Sequence, residues 1–464
     1  MIIHSKSICV KLSRVLSLNI DMNDITIPEN FCLAPWLHAH HGTDYTRKLC
    51  SMSDYSFLPD GTLNNPHDLT EYQNSEHSKR IRRQMMNNEM PAECYQCHIP
   101  GGKVTRVNSY KDSFNKRYKK FYPEALEKTS PDGTTTMPMR SFDYRFDSLC
   151  NYKCRHCDWF ASSAIEQEEK LAGLRHAGDD YILPEFNQEE KELRQKHLLN
   201  EMKVAADAGT LDYIQWVGGE PLFHADHWEF MNYLIENCDY KKIYISYITN
   251  LSIMKFKGYD FVDMINKFDM SYVHASIESG GPAAEYIRTG LNWEKWKQNF
   301  TAVHESFRYK ETTEEYEHTI KAGITLTTVS LPGMRDFIEF LVEQQANVAS
   351  ATLIKPNDNN WHLGIDYLGK YRDQWLSEFR KIVEDYKDTL QPYSYFQLTS
   401  ISNIIENRPI VDLDDPTEHE LEKIKRSVNW ANKTDSIRKS YLIDVIKDYP
   451  FMLEWWAKLN SICR

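Results

Sequence analysis

The stretch DSLCNYKCRHCDW, residues 147–159, sets Cys150, Cys154 and Cys157 at the spacing C-x3-C-x2-C. Thiolates are the usual protein ligands of iron–sulfur clusters and strong ligands of zinc. Structural zinc sites close with four protein ligands, and this stretch offers three thiols. His156 lies between two of the cysteines, but in most tight loops such a side chain points away from theirs. Three thiolates this close can instead hold three irons of a cubane and leave the fourth iron open to a small molecule. A second group, Cys32, Cys50, Cys94 and Cys97, offers four thiols. Four would fill a zinc or iron–sulfur site completely, with no open position. Cys9, Cys238 and Cys463 stand alone and read as ordinary small thiols.

Ten cysteines without a secretory signature argue for metal or redox chemistry rather than a disulfide framework. The first twenty residues lack a continuous apolar stretch and a small-residue cleavage site, so they do not read as a signal peptide. Residues 1–22 read as a loose extension, and Met22 offers an alternative start. No apolar run is long enough to span a bilayer, and the expected location is the cytoplasm. The net charge of −12, from 55 basic and 67 acidic residues, disfavours a large phosphate-binding surface, so nucleic acid is not the expected partner. With 464 residues, 41% of them hydrophobic, the chain has material for two to four domains with a sizeable core.

The elements that must position these thiols follow from periodicity. Residues 31–50 read as two short strands joined at Gly42–Asp44, with Cys32 and Cys50 at the open end. A helix follows (NSEHSKRIRRQMMNNEM), then Cys94 and Cys97 in a turn. SPDGTTTMP, residues 130–138, reads as a linker. Beyond it, strands at 142–147, 213–219, 243–250, 272–279, 324–330 and 350–356 alternate with helices. Such alternation implies parallel βα units with right-handed crossovers, here an α/β fold with a partial (β/α)6 TIM-like barrel. In barrels of this kind the chemistry sits at the C-terminal ends of the strands, which is where the three cysteines fall. After about residue 357 the pattern turns helical. The expected organisation is thus an N-terminal hairpin-based cluster module (23–129), the barrel (138–357) and a C-terminal helical region (358–464). His38 and His40 share a strand face, and with His41 they read as polar hairpin positions. Tyr272, Trp216, Trp455 and Trp456 read as core. The acidic run at 412–422 reads as a solvated face or loop. There is no internal repeat and no low-complexity tract.

Placed after a first strand, the C-x3-C-x2-C motif resembles the signature of the radical S-adenosylmethionine (SAM) superfamily. The second strand ends in Val217-Gly218-Gly219-Glu220-Pro221, similar to that family's GGEP motif, whose backbone carbonyls and Glu line the SAM amino group. Thr249-Asn250, at the end of the third strand, is similar to the family's T-N segment. The fourth strand ends in Ser276-Ile277-Glu278-Ser279, where relatives often carry S-x-D, and Arg288 lies ten residues beyond Glu278. The resemblance implies that Ser276 and Arg288 hold the SAM carboxylate and that Glu278 stands at the ribose position. His156 occupies the place of an aromatic residue packed near the adenine. It also implies reductive cleavage of SAM at a [4Fe–4S] cluster, giving a 5′-deoxyadenosyl radical that abstracts hydrogen from a substrate. The cofactor would supply the reactivity and the protein its placement.

Residues 31–110, with the pattern C-x2-P-W-x-H…G…C followed by C-x2-C, are similar to the SPASM/twitch auxiliary-cluster modules of the same superfamily. In many relatives such a module follows the barrel; here it precedes it. The resemblance implies a second [4Fe–4S] cluster at Cys32, Cys50, Cys94 and Cys97, acting as an anchor or an electron relay. It further implies a peptide or protein side chain as substrate, with a sugar, nucleoside or other metabolite as the alternative, and an electron donor such as flavodoxin or ferredoxin. The C-terminal helices are expected to act as a lid that selects the substrate. Two readings of another class remain at this point: an iron–sulfur electron-transfer protein without turnover, and a zinc-binding module.

Overall fold

A computed structural model of the chain describes residues 25–54, 66, 68–97, 110–174, 187–308, 318–357 and 359–463. The N-terminal extension, Met22 and Cys9 lie outside the described residues. Within them the scaffold is one eight-stranded sheet. Its strands are β1 (His38–His41), β2 (Arg47–Lys48), β3 (Ser141–Tyr144), β4 (Tyr213–Trp216), β5 (Tyr244–Thr249), β6 (Ser271–Ser276), β7 (Thr319–Leu326) and β8 (Asn347–Leu353). The helices used below are α1 (Glu76–Met86), α2 (Tyr110–Tyr118), α3 (Ser163–Ala172), α4 (Gln188–Asp207), α5 (Ala225–Asn237), α6 (Trp293–Phe307), α7 (Met334–Gln344), α8 (Pro392–Glu406) and α9 (Glu418–Arg438).

The spatial order is β8-β7-β6-β5-β4-β3-β1-β2. Strands β3 to β8 therefore run in chain order, all parallel, as the βα alternation requires. The helices start where the sequence supplies caps. Asn187 and Glu190 form a reciprocal capping box at α4, and Asn292 caps α6. The acidic run near 412–422 supplies the Thr417–Glu420 capping box that starts α9. Two strands lie earlier in the chain than expected, β7 at 319–326 and β8 at 347–353. The cause at β7 is Thr327, whose hydroxyl accepts the Val329 N–H and turns the chain into a helical turn.

The two faces of the sheet differ in chemistry. Phe142, Tyr144, Ile214, Trp216, Ile245, Tyr247, Val273, Ala275, Ile320 and Ala322 point to one side and are buried in the main core with the helices. The alternate residues, among them Gln215, Tyr244, Tyr272, His274 and Lys321, point to the other side and are half-buried. Tyr272 thus belongs to the polar face and not to the core, whereas Trp216, Trp455 and Trp456 are core residues as expected.

The N-terminal hairpin is part of this sheet. β1 pairs parallel with β3, His38 opposite Ser141 and His40 opposite Asp143. His38 and His40 are therefore fully buried members of the polar face, while His41, also buried, lies opposite Tyr144 on the other face. Helix α2 packs beside them, with Phe114 against His38 and Arg117 over the Tyr213 and Tyr244 rings at 4.3 and 4.8 Å. The opposite edge is covered by α8: the Val348 N–H donates to Ser394 Oγ at 2.9 Å, which satisfies an edge group that would otherwise invite another strand.

The stretch expected as a linker is a packed turn. Arg82 of α1 is fully buried and donates to the carbonyls of Gly133 at 2.7 Å, Pro35 at 3.0 Å and Gln73 at 2.6 Å. Gly133 has φ +89°, and a Cβ there would meet Lys79 O at 2.4 Å. One guanidinium thereby ties the hairpin, α1 and the 130–138 turn together. Replacing it with an apolar chain of similar length leaves three carbonyls without donors. Arg82→Met is expected to lower stability by about 3 kcal/mol or more, read from chemical denaturation of the apo protein.

Candidate functional site

The cysteine loop begins where β3 ends. Asp147 sets its first turn: Oδ1 accepts the Leu149 N–H at 2.5 Å and lies 2.8 Å from His224 Nε2, while Oδ2 accepts from Gln195 at 2.8 Å. The start of α3 is tied to the loop by the Ser163 N–H on Ser148 O at 2.7 Å and the Ser162 hydroxyl on Tyr152 O at 2.8 Å. Lys153–Cys154 then pairs antiparallel with Arg288–Thr289. That ribbon brings Cys154 against Arg288, whose Nη1 donates to Sγ at 3.9 Å. The Tyr152 N–H donates to Cys150 Sγ at 3.5 Å.

Burial raises all three thiols, Cys150 to about 12, Cys154 to about 11 and Cys157 well above its usual value. Repulsion from neighbouring cysteines adds to the rise at Cys150 and Cys157. Thiols gathered this way stay protonated by themselves. A cationic centre bound through sulfur makes the thiolates the stable form. The Tyr152 amide and the Arg288 guanidinium are donors of the kind that metal-bound sulfur accepts. The donor set therefore fits an iron–sulfur cluster held by Cys150, Cys154 and Cys157.

The residues expected around such a cluster converge on the loop. Gly218 has φ +141°, and a Cβ on Gly219 would lie 2.2 Å from Leu149 O. Only two glycines let this turn press its backbone on the cysteine loop, and the Glu220 N–H donates to Leu149 O at 2.8 Å. Pro221 opens the short helical turn that follows. Glu220 is fully buried, with Oε1 taken by the Thr249 hydroxyl at 2.6 Å and the Leu222 N–H at 3.1 Å, and Oε2 by the Asn250 N–H at 2.7 Å. Its carboxylate braces the ends of β4 and β5. Asn250 reaches the loop directly, its Nδ2 donating to Asn151 Oδ1 at 3.0 Å.

Glu278 and Arg288, assigned separate roles from sequence, form one buried two-bond pair at 2.5 and 2.6 Å. His156 is half-buried with Nε2 3.5 Å from Glu278 Oε1, so it joins this pair rather than the cysteine sulfurs. Ser276, at the end of β6, is half-buried and pairs in register with Gly323 of β7.

Cys32, Cys50, Cys94 and Cys97 line one pocket with Met52 and Tyr110. Cys32 precedes the turn into β1, Cys50 follows β2, and the other two lie in the short helical stretch Ala92–Cys97. Burial raises Cys32 well above its usual value and Cys50 to about 11, and like-charge thiols add to both. This set fits a closed four-thiolate metal centre for the same reason as the first. Next to it Tyr110 Oη lies 3.3 Å from His38 Nε2, and His38 Nδ1 lies 2.7 Å from Ser141 Oγ.

His38, His40 and Asp143 bring their ligand atoms within 4.8 Å of one another, close enough to hold a cation. Arg145 already supplies one. Its Nη1 is 3.1 Å from His40 Nε2 and its Nη2 is 3.6 Å from Asp143 Oδ2, while His40 Nδ1 is 3.0 Å from the same oxygen. Burial alone would raise Asp143, but Arg145 and His40 outweigh it and hold the carboxyl below its usual range. The cluster is balanced by a guanidinium.

Sequence reasoning passed over Asn151, Arg155, Glu168 and Asp435. Asn151 and Arg155 stand inside the cysteine motif, where position alone could have singled them out. Nothing local marks Glu168 or Asp435. Their role follows only from the path of the C-terminal helix. Asn357 Nδ2 donates to Cys157 O at 3.4 Å, and Asn360 Nδ2 donates to Arg155 O at 3.1 Å. Residues at the start of the C-terminal region thus pack on the cysteine loop.

Residues 147–334 match the family model of the radical SAM superfamily. That segment runs from Asp147 to the start of α7, and it is an enzyme domain. No curated protein sequence matches the chain. Among solved structures, anSMEcpe with bound AdoMet is 15% identical over 55% of this chain and 63% of that one, with a TM-score of 0.35. SuiB of Streptococcus suis bound to its precursor peptide SuiA is 11% identical over 77% of this chain and 72% of that one, with a TM-score of 0.34. The same protein bound to S-adenosylmethionine is 12% identical over 59% and 55%, with a TM-score of 0.33. The chain spans about three-fifths of the length of the first of these. No helix among the described residues is long and apolar enough to cross a membrane.

The contact between the two-glycine turn and the cysteine loop is testable without any cofactor. Gly219→Ala forces its new methyl into the Leu149 carbonyl. It is expected to destabilise the apo protein by about 2 kcal/mol and to lower the iron bound on reconstitution.

Proposed function

We propose that the chain is a radical SAM enzyme acting on a peptide or protein side chain. The observation that carries this reading is the convergence of three desolvated thiols, the Gly218-Gly219 turn, Asn250 and the Glu278–Arg288 pair at one end of a parallel sheet. On this reading β3 to β8 are the six strands of a partial barrel and the polar face is its lumen. Ligands bind at the C-terminal ends of strands in such architectures.

A [4Fe–4S] cluster with SAM at its open iron supplies the reductive cleavage to methionine and a 5′-deoxyadenosyl radical, which removes hydrogen from the substrate. The chain does the holding. Cys150, Cys154 and Cys157 carry the cluster. Gly218 and Gly219 bring backbone carbonyls to the SAM ammonium group, and Glu220 fixes the turn from behind. Arg288, oriented by Glu278, takes the SAM carboxylate with Ser276. Glu278 and His156 face the ribose and adenine.

Cys32, Cys50, Cys94 and Cys97 are assigned a second cubane in a twitch-like module. With four protein ligands it would have no open iron, and it would accept the electron given up when the substrate radical is oxidised. The peptide substrate rests on the resemblance of this module to those of peptide-modifying relatives. Strand β1 supports the relay, since it leaves the four-thiol site and pairs with β3, which leads into the cysteine loop. A flavodoxin or ferredoxin delivers the reducing electron.

The reading is tested by iron and sulfide content after anaerobic reconstitution, beside 5′-deoxyadenosine formation under dithionite. About eight irons are expected in the wild type and about four in the Cys150/Cys154/Cys157→Ala variant, with 5′-deoxyadenosine made only by the wild type. Cys94→Ala and Cys97→Ala are expected to retain uncoupled SAM cleavage at least in part. Zinc in place of iron, or iron without SAM cleavage, would falsify the enzyme reading.

A further inference from the structure

The cysteine loop carries a second charge that its own surroundings do not balance. Arg155, between Cys154 and His156, is fully buried. Its Nε donates to Tyr286 O at 3.0 Å, and the guanidinium lies 3.8 Å from the Tyr286 ring centroid. Its remaining donors leave the barrel segment altogether. Nη1 bonds Thr434 Oγ1 at 3.1 Å and pairs with Asp435 Oδ1 at 2.8 Å, and Nη2 donates to Ser440 O at 3.1 Å. All three partners belong to α9 or the turn just after it. Asp435 in turn accepts the Tyr286 hydroxyl at 3.1 Å and the Leu442 N–H at 2.8 Å.

One turn further along α9, Arg438 repeats the device. It donates to Glu168 Oε2 at 2.9 and 2.5 Å, to the Lys153 carbonyl at 2.9 Å and to Thr289 Oγ1 at 3.2 Å. Lys153 Nζ closes the circuit on Glu168 Oε1 at 2.6 Å. The face of α9 that does this is legible along the helix. Ile424, Val428 and Ala431 are its buried apolar stripe, and the same stripe turns polar at Thr434, Asp435 and Arg438 where it meets the cysteine loop. A helix placed only to bury apolar surface has no use for two buried arginine–carboxylate pairs, because desolvating such charges is costly unless every partner is in place.

We infer that α9 is part of the SAM-cluster site: Asp435 and Arg438 are positioning residues that hold the cysteine loop through Arg155, Lys153 and Glu168 and set the charge around the cluster. This rests on the radical SAM reading and extends it to a region the family match does not reach. Charges and hydrogen bonds near the sulfurs are among the factors that set the potential of an iron–sulfur cluster. Removing the Asp435 charge leaves Arg155 unbalanced one residue from Cys154.

The test compares Asp435→Asn with wild type as full-length, anaerobically reconstituted protein, following iron content, the EPR signal of the reduced clusters with and without SAM, and 5′-deoxyadenosine formation. Asp435→Asn keeps the size of the side chain. The expected result is unchanged helical content by circular dichroism and an unchanged EPR signal from the four-thiol site. The SAM-induced change in the other signal is altered, and 5′-deoxyadenosine formation falls at least tenfold. Glu168→Gln, which strips the charge from the other pair, is expected to act in the same direction and stands in if Asp435→Asn does not fold. Arg438→Lys is expected to recover part of the loss seen in Arg438→Met. Wild-type EPR and wild-type rates in both Asp435→Asn and Glu168→Gln would overturn the inference while leaving the radical SAM reading intact. A wild type that binds iron but never cleaves SAM would overturn both.

Discussion

The gathering of thiols in poorly solvated pockets is the constraint on which this structure depends. Seven thiols are gathered in two sites, and burial pushes the pKa of those in the three-cysteine loop well above neutrality. A cationic centre bound through sulfur would make the thiolates the stable form. The position of the loop must then be fixed by groups outside the three cysteines, because a short loop has little rigidity of its own. The loop is accordingly held from four directions. Asp147 holds its start, the two-glycine turn presses on Leu149, Asn250 reaches Asn151, and Arg288 and α9 grip its far side.

These supports differ in kind, and the difference follows from what each must tolerate. The glycine turn works by the absence of side chains, which lets backbone meet backbone. The Glu278–Arg288 pair works by charge, its two bonds holding the guanidinium in one orientation beside Cys154. Glu220 accepts three hydrogen bonds from β5 and its own turn, which keeps the ends of two strands in register at the point where the chemistry is placed.

Much of this was legible in the sequence, because the signals were local. The C-x3-C-x2-C spacing, the GGEP turn and the alternation of short β-rich runs with capped helices each occupy a few residues. They placed the six parallel strands in order and put the thiols at a strand end. The errors have a common origin. The 130–138 stretch reads as a linker until Arg82, about fifty residues away, is seen to bind Gly133. Strand β7 ends at Leu326 because of one threonine hydroxyl. His38 and His40 read as polar hairpin positions, and their burial follows only from β1 lying beside β3, a pairing between segments 103 residues apart. Arg155 drew no reading from the sequence, because its counter-charge, Asp435, lies 280 residues further along the chain. Propensity and spacing carry no information on such distant pairings, which are settled by packing.

The order in which the two sulfur sites can form follows from where their parts lie along the chain. The four-thiol site takes its cysteines from positions 32 to 97, so it is complete in covalent terms early in synthesis. The three-cysteine loop draws on the carbonyl of Ser440, 285 residues beyond Arg155. Bringing such distant segments together costs loop-closure entropy and belongs late in folding. A chain emerging from the ribosome therefore presents one group of cysteines already complete and one still without its distant supports. On the reading proposed above, iron and sulfide would be loaded into the second set only after Ser440 has been made.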